Sequence, residues 1–180
     1  IKIDNFPIFV IDAIPGEVVQ VGITKVLKSY AFGRVIKRVK ASPNRAENVD
    51  KVAITTGIAP LANLKYEAQL TFKQRQVEQL FKKVNVSVEV NPTIGMTDPT
   101  KYRNKAQVPV QMVNGQLETG FYRRGSRKLM PVEDFYIQDP KVDEAVSVTR
   151  DVLRDLGISA YDEDTHKGVV RHIMARRGFY

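Results

Sequence analysis

The hydrophobic period changes along this chain, and that change limits its folds more than any single residue does. Near the start, Ile8–Ile11 is a short apolar run closed by a turn signal at Pro15-Gly16. Val19, Val21 and Ile23 then alternate with polar or small residues, the period-two pattern of a half-buried strand. Tyr30–Ile36 continues in β-prone residues, with Gly33 allowing a bulge or a close backbone approach. Short strands and turns in so brief a stretch predict a small β-barrel rather than a sandwich. Ala41–Asn48, with Ser42-Pro43-Asn44 inside it, reads as a linker.

From Tyr66 the period becomes helical. Leu70, Val77, Leu80, Phe81 and Val84 share one face while Lys73, Arg75, Glu78 and Lys82 lie elsewhere, which predicts an amphipathic helix. Val84, Val86, Val88 and Val90 then alternate as a strand that Asn91-Pro92 ends. Ala106, Val108, Val110 and Met112 form another strand, and Asn114-Gly115 supplies the two positive-φ positions of a type I′ hairpin turn. Leu117, Thr119 and Phe121 are the return strand. Asp139 can cap a helix that starts at Pro140, buries Val142, Ala145, Val146, Leu153 and Leu156, and stops at Gly157. Val169–Ala175 is a last strand. The fold class expected is thus a β-barrel followed by an α+β domain, divided as residues 1–48 and 49–180.

Composition narrows the chemistry. There is no cysteine, which removes disulfides, Cys-ligated metals and thiolate nucleophiles from this chain, and two histidines are too few for a histidine-built metal site. No apolar run is long enough for a membrane span, and no secretory signal opens the chain, since Lys2 and Asp4 already interrupt it. The eleven glycines include no G-x-G pair and no P-loop. Asp162, Glu163 and Asp164 beside His166 read as a solvated loop, because consecutive residues point to different sides. The sequence shows no credible catalytic residue.

Charge points instead to an anionic partner: 28 Lys and Arg against 20 Asp and Glu give +8. The surplus lies in two blocks. Residues 25–40 hold Lys25, Lys28, Arg34, Lys37, Arg38 and Lys40 with no acid, and residues 101–128 hold seven cations against Glu118 alone. Residues 133–164 reverse the sign, with ten acids against Lys141, Arg150 and Arg154. Within the first block, strand alternation puts Tyr30, Phe32 and Arg34 on one face. Rings between cations suit unpaired nucleotides, the rings stacking on bases and the cations meeting phosphates; alternatively the rings fill the barrel core. Tyr102, Arg103 and Lys105 repeat the recipe, as do Tyr122, Arg123 and Arg124, with Arg127 close behind. A hairpin over 106–121 would bring those two groups together as one patch.

The order of these segments resembles a known family. Ile14-Pro15-Gly16-Glu17, Ile23-Thr24-Lys25-Val26 and Tyr30-Ala31-Phe32-Gly33-Arg34 look like a TRAM domain, the OB-like RNA-binding barrel that opens RNA uracil-C5 methyltransferases. Leu64–Leu70, Tyr102–Gln107, Gly120–Arg123 and Ile137–Pro140 resemble, in order, the segments that follow, through the family's central RNA-binding domain. The ribosomal-RNA type, acting on uridines of 23S rRNA, is the closest subgroup. The resemblance implies S-adenosylmethionine as cofactor of the full-length enzyme, ribosomal RNA as partner, no membrane, a cytoplasmic location and a monomer. The ring-and-cation clusters, for their part, put RNA contacts at Lys25, Lys28, Tyr30, Phe32, Arg34, Lys37, Tyr102, Arg103, Lys105, Tyr122, Arg123, Arg124 and Arg127.

Two departures from the family pattern stand out. Asp50, Thr56, Ala59 and Phe135 occupy the places where many ribosomal-RNA members hold four cluster cysteines, so the resemblance is to a member without an iron–sulfur cluster. The family's C-terminal Rossmann-like domain, which binds the cofactor and supplies a cysteine nucleophile, has no counterpart here. The chain therefore reads as the RNA-recognition part of a longer enzyme, catalytically inactive alone, whose opening strand is also clipped. The alternative reading is a stand-alone, non-catalytic RNA-binding module.

Overall fold

The computed structural model describes residues 1–47 and 49–178. They form two four-stranded sheets and three helices, in two compact units. The first unit comprises Ile1–Val49 and Leu61–Ile94; the second comprises Asp50–Pro60 and Gly95–Tyr180. The boundary expected after residue 48 thus marks the end of the strand-rich stretch, while the long helix beyond it groups with the first unit.

In the first unit, β1 (Lys2–Ile3), β2 (Phe6–Ile11), β3 (Val18–Val26) and β4 (Ala31–Lys40) make a sheet in the order β1-β2-β4-β3. β2 runs parallel to β4, and β3 runs antiparallel to it with three register shifts. β1 and β3 stand at opposite edges, and no pairing joins them among the described residues, so this sheet is open and the expected closed barrel is not formed. Gly33 explains one irregularity. A Cβ there would come within 2.5 Å of Val21 Cγ1 and 3.3 Å of the Gly22 carbonyl, and the register slips next to it, between Ile23 and Lys25.

The core of this unit is thin, with Ile14, Ala31, Ala62 and Leu64 its buried apolar residues. A charged clasp ties its loops instead. The Glu17 carboxylate, 1% exposed, accepts from Arg45 Nε at 2.5 Å, Arg45 Nη2 at 2.8 Å and the Ile14 amide at 3.2 Å. Arg38 Nε lies 2.9 Å away, and Arg45 and Arg38 also hold Asp12. The Arg45 hydrogen bonds, with those of Ile14 and Arg38, outweigh burial and hold the Glu17 carboxyl down to about 2.

The helix predicted from Tyr66 is α2 (Tyr66–Lys83), after a short α1 (Lys51–Thr56) in the second unit. None of the residues of α2 is buried; Val77, Leu80, Phe81 and Val84, expected to face a core, are 38–66% exposed. The valine alternation at 84–90 does not make a strand. Asn85 takes a positive φ, the chain reverses, and the segment lies along α2, where Gln74 Nε2 donates to the Val90 carbonyl and Thr93 Oγ1 to that of Leu70. Alternation needs a neighbouring strand, and none is there.

The second unit is the better packed. β5 (Lys105–Val113), β6 (Gln116–Tyr122), β7 (Leu129–Pro131) and β8 (His172–Arg176) form a sheet in the order β7-β6-β5-β8, with α3 (Pro140–Asp155) against it. Ala106, Val108, Val110, Leu117, Phe135, Val142, Val146 and Ile173 make one core. Asn114 and Gly115 have φ of 51° and 85°, as the turn requires. Asp139 accepts from the Lys141 amide at 2.8 Å and Gly157 follows the last turn of α3, so both helix boundaries are set by local chemistry. Leu156 is exposed, and Arg150 takes the expected core row instead, 5% exposed and paired with Glu133 and Asp151.

Because the folded Glu17 titrates below an ordinary glutamate, the clasp contributes fully above pH about 4.5 and fades as pH falls toward about 2. Urea unfolding against pH is expected to show a loss of about 3 kcal/mol over that window. Glu17→Gln removes that acid dependence and is destabilising at neutral pH.

Candidate nucleic-acid interface

The parallel register of β2 with β4 sets Phe9 directly beside Phe32, and the antiparallel register of β3 sets Lys25 on the other side of Phe32. Tyr30 stands at the mouth of the β3–β4 turn, where the Leu27 amide donates to its carbonyl at 2.9 Å. The three rings form one cluster. Tyr30 meets Phe9 and Phe32 edge-on, at centroid distances of 5.6 and 5.5 Å, and Phe9 and Phe32 lie 5.8 Å apart with planes tilted by 38°. Tyr30 is half-buried, whereas Phe9 and Phe32 are 55% and 40% exposed. Of the two rings expected to stack on bases, Phe32 is open to solvent and Tyr30 is only partly so; Phe9 joins Phe32 on the exposed side, with Tyr30 bracing both.

Ile11 and Ile36 extend the same exposed face; a Cβ at Gly22 would meet the Ile36 and Arg34 side chains, so these residues share it. An apolar and aromatic sheet face left open in this way is a candidate binding surface. Lys25, Lys28, Arg34 and Lys37 are exposed, and no carboxylate pairs with any of them among the described residues. Arg38, by contrast, belongs to the clasp. Phe9 lay hidden in the sequence because Ile8–Ile11 has no alternation that assigns it a face; only pairing with a distant strand reveals it.

In the second unit the acids of the 133–164 run neutralise cations from several elements. Lys101 pairs with Asp134 and Asp143, Arg154 with Glu118 and Asp151, Arg171 with Glu163, and Arg177 with Asp139. Arg127 pairs with Asp164 at 3.2 Å, but both side chains are largely exposed and such a pair is weak. Asp143 is pushed up by burial, against hydrogen bonds from Gln138 and the Phe135 amide and the charge of Lys101. Arg103, Lys105, Arg123 and Arg124 have no acidic partner among the described residues.

The hairpin ladder does not itself pair those four cations. β5 and β6 pair only from Val110↔Thr119 to Val113↔Gln116; beyond that, β6 turns to β7 and β5 turns to β8. Arg103 is fastened by its backbone to Ile137 and Asp139, and Lys105 faces Arg176. Arg123 instead bonds through its amide to Lys128, and Arg124 to Thr55, with its side chain over Gly57. Tyr102 and Tyr122 are 50% and 36% exposed.

The four positions aligned with cluster cysteines have structural tasks. Asp50 caps α1, accepting from the Val52 and Ala53 amides, and Thr56 Oγ1 donates to the Val52 carbonyl. The Ala59 amide donates to Ala53, and Phe135 is buried edge-on against Phe121 at 4.8 Å.

Comparison with known proteins follows the same lines. A family model described as the TRAM domain matches residues 2–36. Over 99% of its length the chain is 55% identical to an uncharacterized RNA methyltransferase of Lactiplantibacillus plantarum, of which it covers 39%. It is likewise 46% identical to an uncharacterized RNA methyltransferase of Streptococcus agalactiae serotype V, covering 40% of that protein. The chain spans about two fifths of the length of these relatives. The crystal structure of the tRNA (uracil-54, C5)-methyltransferase of Pyrococcus abyssi, in complex with S-adenosyl-L-homocysteine, superposes with a TM-score of 0.63 over 94% of this chain and 38% of that one. At 20% identity, that likeness is one of fold.

Phe9→Ala and Phe32→Ala are each expected to weaken binding of single-stranded RNA by about 1–3 kcal/mol while the chain stays folded, because both rings are partly exposed. Fluorescence anisotropy with a labelled oligoribonucleotide, alongside thermal melts, checks both halves of the expectation.

Proposed function

We propose that this chain is the RNA-recognition part of an S-adenosylmethionine-dependent 23S rRNA (uracil-5-)-methyltransferase. The observation that carries the reading is the exposed Phe9–Phe32 pair, braced by Tyr30 and flanked by unpaired cations, on a domain of the TRAM type. Such a surface stacks unpaired bases and holds their phosphates, which is what a methyltransferase needs in order to present one uridine out of its helix. The relatives' names support an RNA methyltransferase, and the fold shared with a uracil-C5 enzyme supports the base and the atom.

In this reading residues 1–48 act as the OB-like TRAM module and residues 49–180 as the central RNA-binding domain. Addition of a thiolate at uracil C6 is what makes C5 nucleophilic. The chain has no cysteine, and in this reading the thiolate and the cofactor site are supplied by the part of a cytoplasmic enzyme that corresponds to the other three fifths of the relatives' length. This chain supplies affinity and placement, and alone it transfers no methyl group.

Deleting the intact gene and measuring 5-methyluridine in purified 23S rRNA by mass spectrometry tests the reading. Loss of one or more 5-methyluridines, restored by the full gene and not by residues 1–180, is expected. An unchanged 23S rRNA with a change confined to tRNA would move the substrate to tRNA, and no change in either would leave a non-catalytic RNA-binding module.

A further inference from the structure

The exposed face of the β5–β8 ribbon carries a feature that folding alone does not favour. Lys105 and Arg176 are direct cross-strand partners, and the amide of Arg177 donates to the Asn104 carbonyl beside them at 2.9 Å. Like charges placed opposite one another in this way repel. Arg103 adds a third cation at the same corner, its Nε donating to the Lys105 carbonyl at 2.9 Å. Ala106, Val108 and Ile173 point into the core, so Lys105, Gln107, His172, Met174 and Arg176 stand on the opposite, solvent face. Most other cations of this unit have acidic partners, Arg171 and Arg177 on either side of β8 included, while Arg103, Lys105 and Arg176 have none among the described residues.

We propose that this corner, Arg103, Lys105 and Arg176 on the outer face of the β5–β8 ribbon, is a binding site for the phosphodiester backbone of single-stranded RNA. The site rests on the RNA-binding reading above, and it assigns to Arg176 a role that its distance in sequence from the aromatic clusters conceals. A phosphate between the two strands relieves the repulsion between Lys105 and Arg176 by accepting from both. Gln107 and Met174, the next cross-strand pair, offer an amide and an exposed apolar surface to the nucleotide attached to that phosphate. The ribbon thus reads the backbone, while the aromatic face of the first unit reads bases.

The test is the salt dependence of binding between the 180-residue chain and a short fluorescein-labelled oligouridylate, followed by anisotropy across a KCl series. Arg176→Gln is expected to weaken binding at low salt by about three- to tenfold and to make the slope of log K against log salt shallower by about 0.7, one phosphate contact on a single strand. Lys105→Gln combined with Arg176→Gln, which removes both donors to the same phosphate, is expected to weaken binding further and to flatten the slope by about 0.7 in all. Lys141→Gln, which removes the same charge from an ion pair with Glu144, is expected to leave the slope unchanged. Without RNA, Arg176→Gln is expected to keep or raise the thermal midpoint, because it removes a repulsion. An unchanged slope in the double variant overturns the site while leaving the aromatic surface standing. So does an equal effect from Lys141→Gln, which would reduce the result to net charge. A wild-type chain that binds no oligouridylate at all overturns both this site and the reading on which it rests.

Discussion

Glu17 sits with 1% of its side chain exposed, between two guanidinium groups that reach it from the far end of β4 and from the loop beyond. A carboxylate buried in that way is stable only while its partners stay in place. It fastens the turn before β3 to Arg38 and Arg45, and it does so in a unit with few buried apolar residues. The sheet can therefore leave an aromatic and aliphatic face to solvent. A thicker core would have covered Phe9 and Phe32; the clasp makes it possible to hold the strands with that face open.

The two compact units treat charge in opposite ways. In the first, the clasp engages Arg38 and Arg45, while Lys25 beside Phe32, Arg34 on the same face of β4, and Lys28 and Lys37 have no carboxylate partner among the described residues. In the second, the acidic run that follows residue 132 is folded back onto Lys101 ahead of β5, Arg127 beyond β6, cations of α3 and the segments flanking β8. The net positive charge of the chain is thus sorted into neutralised pairs that hold the fold and bare cations that face outward. Only the latter are available to a polyanion. This sorting, rather than the total of +8, is what makes an RNA surface physically plausible here.

Much of the second unit was legible in the sequence because its signals are local. Asp139-Pro140, Asn114-Gly115 and Gly157 each fix a boundary through the conformation of one or two residues, and each stands where expected. Nonlocal pairing was not legible. The splaying of β5 from β6 beyond Val110 separates Lys105 from Arg124 and gives it Arg176 as a neighbour, which no spacing rule reports. Phe9 was missed for the same reason, since its face is assigned by β4. The valines at 84–90 show the converse error: alternation specifies a strand only when another strand is there to receive it. The apolar row of α2 likewise marked a helix correctly and said nothing about what, if anything, covers that row.

The most direct test of the account is photo-crosslinking of the chain to a single-stranded RNA carrying 4-thiouridine, with crosslinked peptides located by mass spectrometry. The account predicts that the crosslinks fall on β2 and β4, at Phe9, Tyr30 and Phe32, and that an excess of unlabelled single-stranded RNA removes them. Crosslinks confined to α2 and the segment after it, with none on either strand, would contradict it.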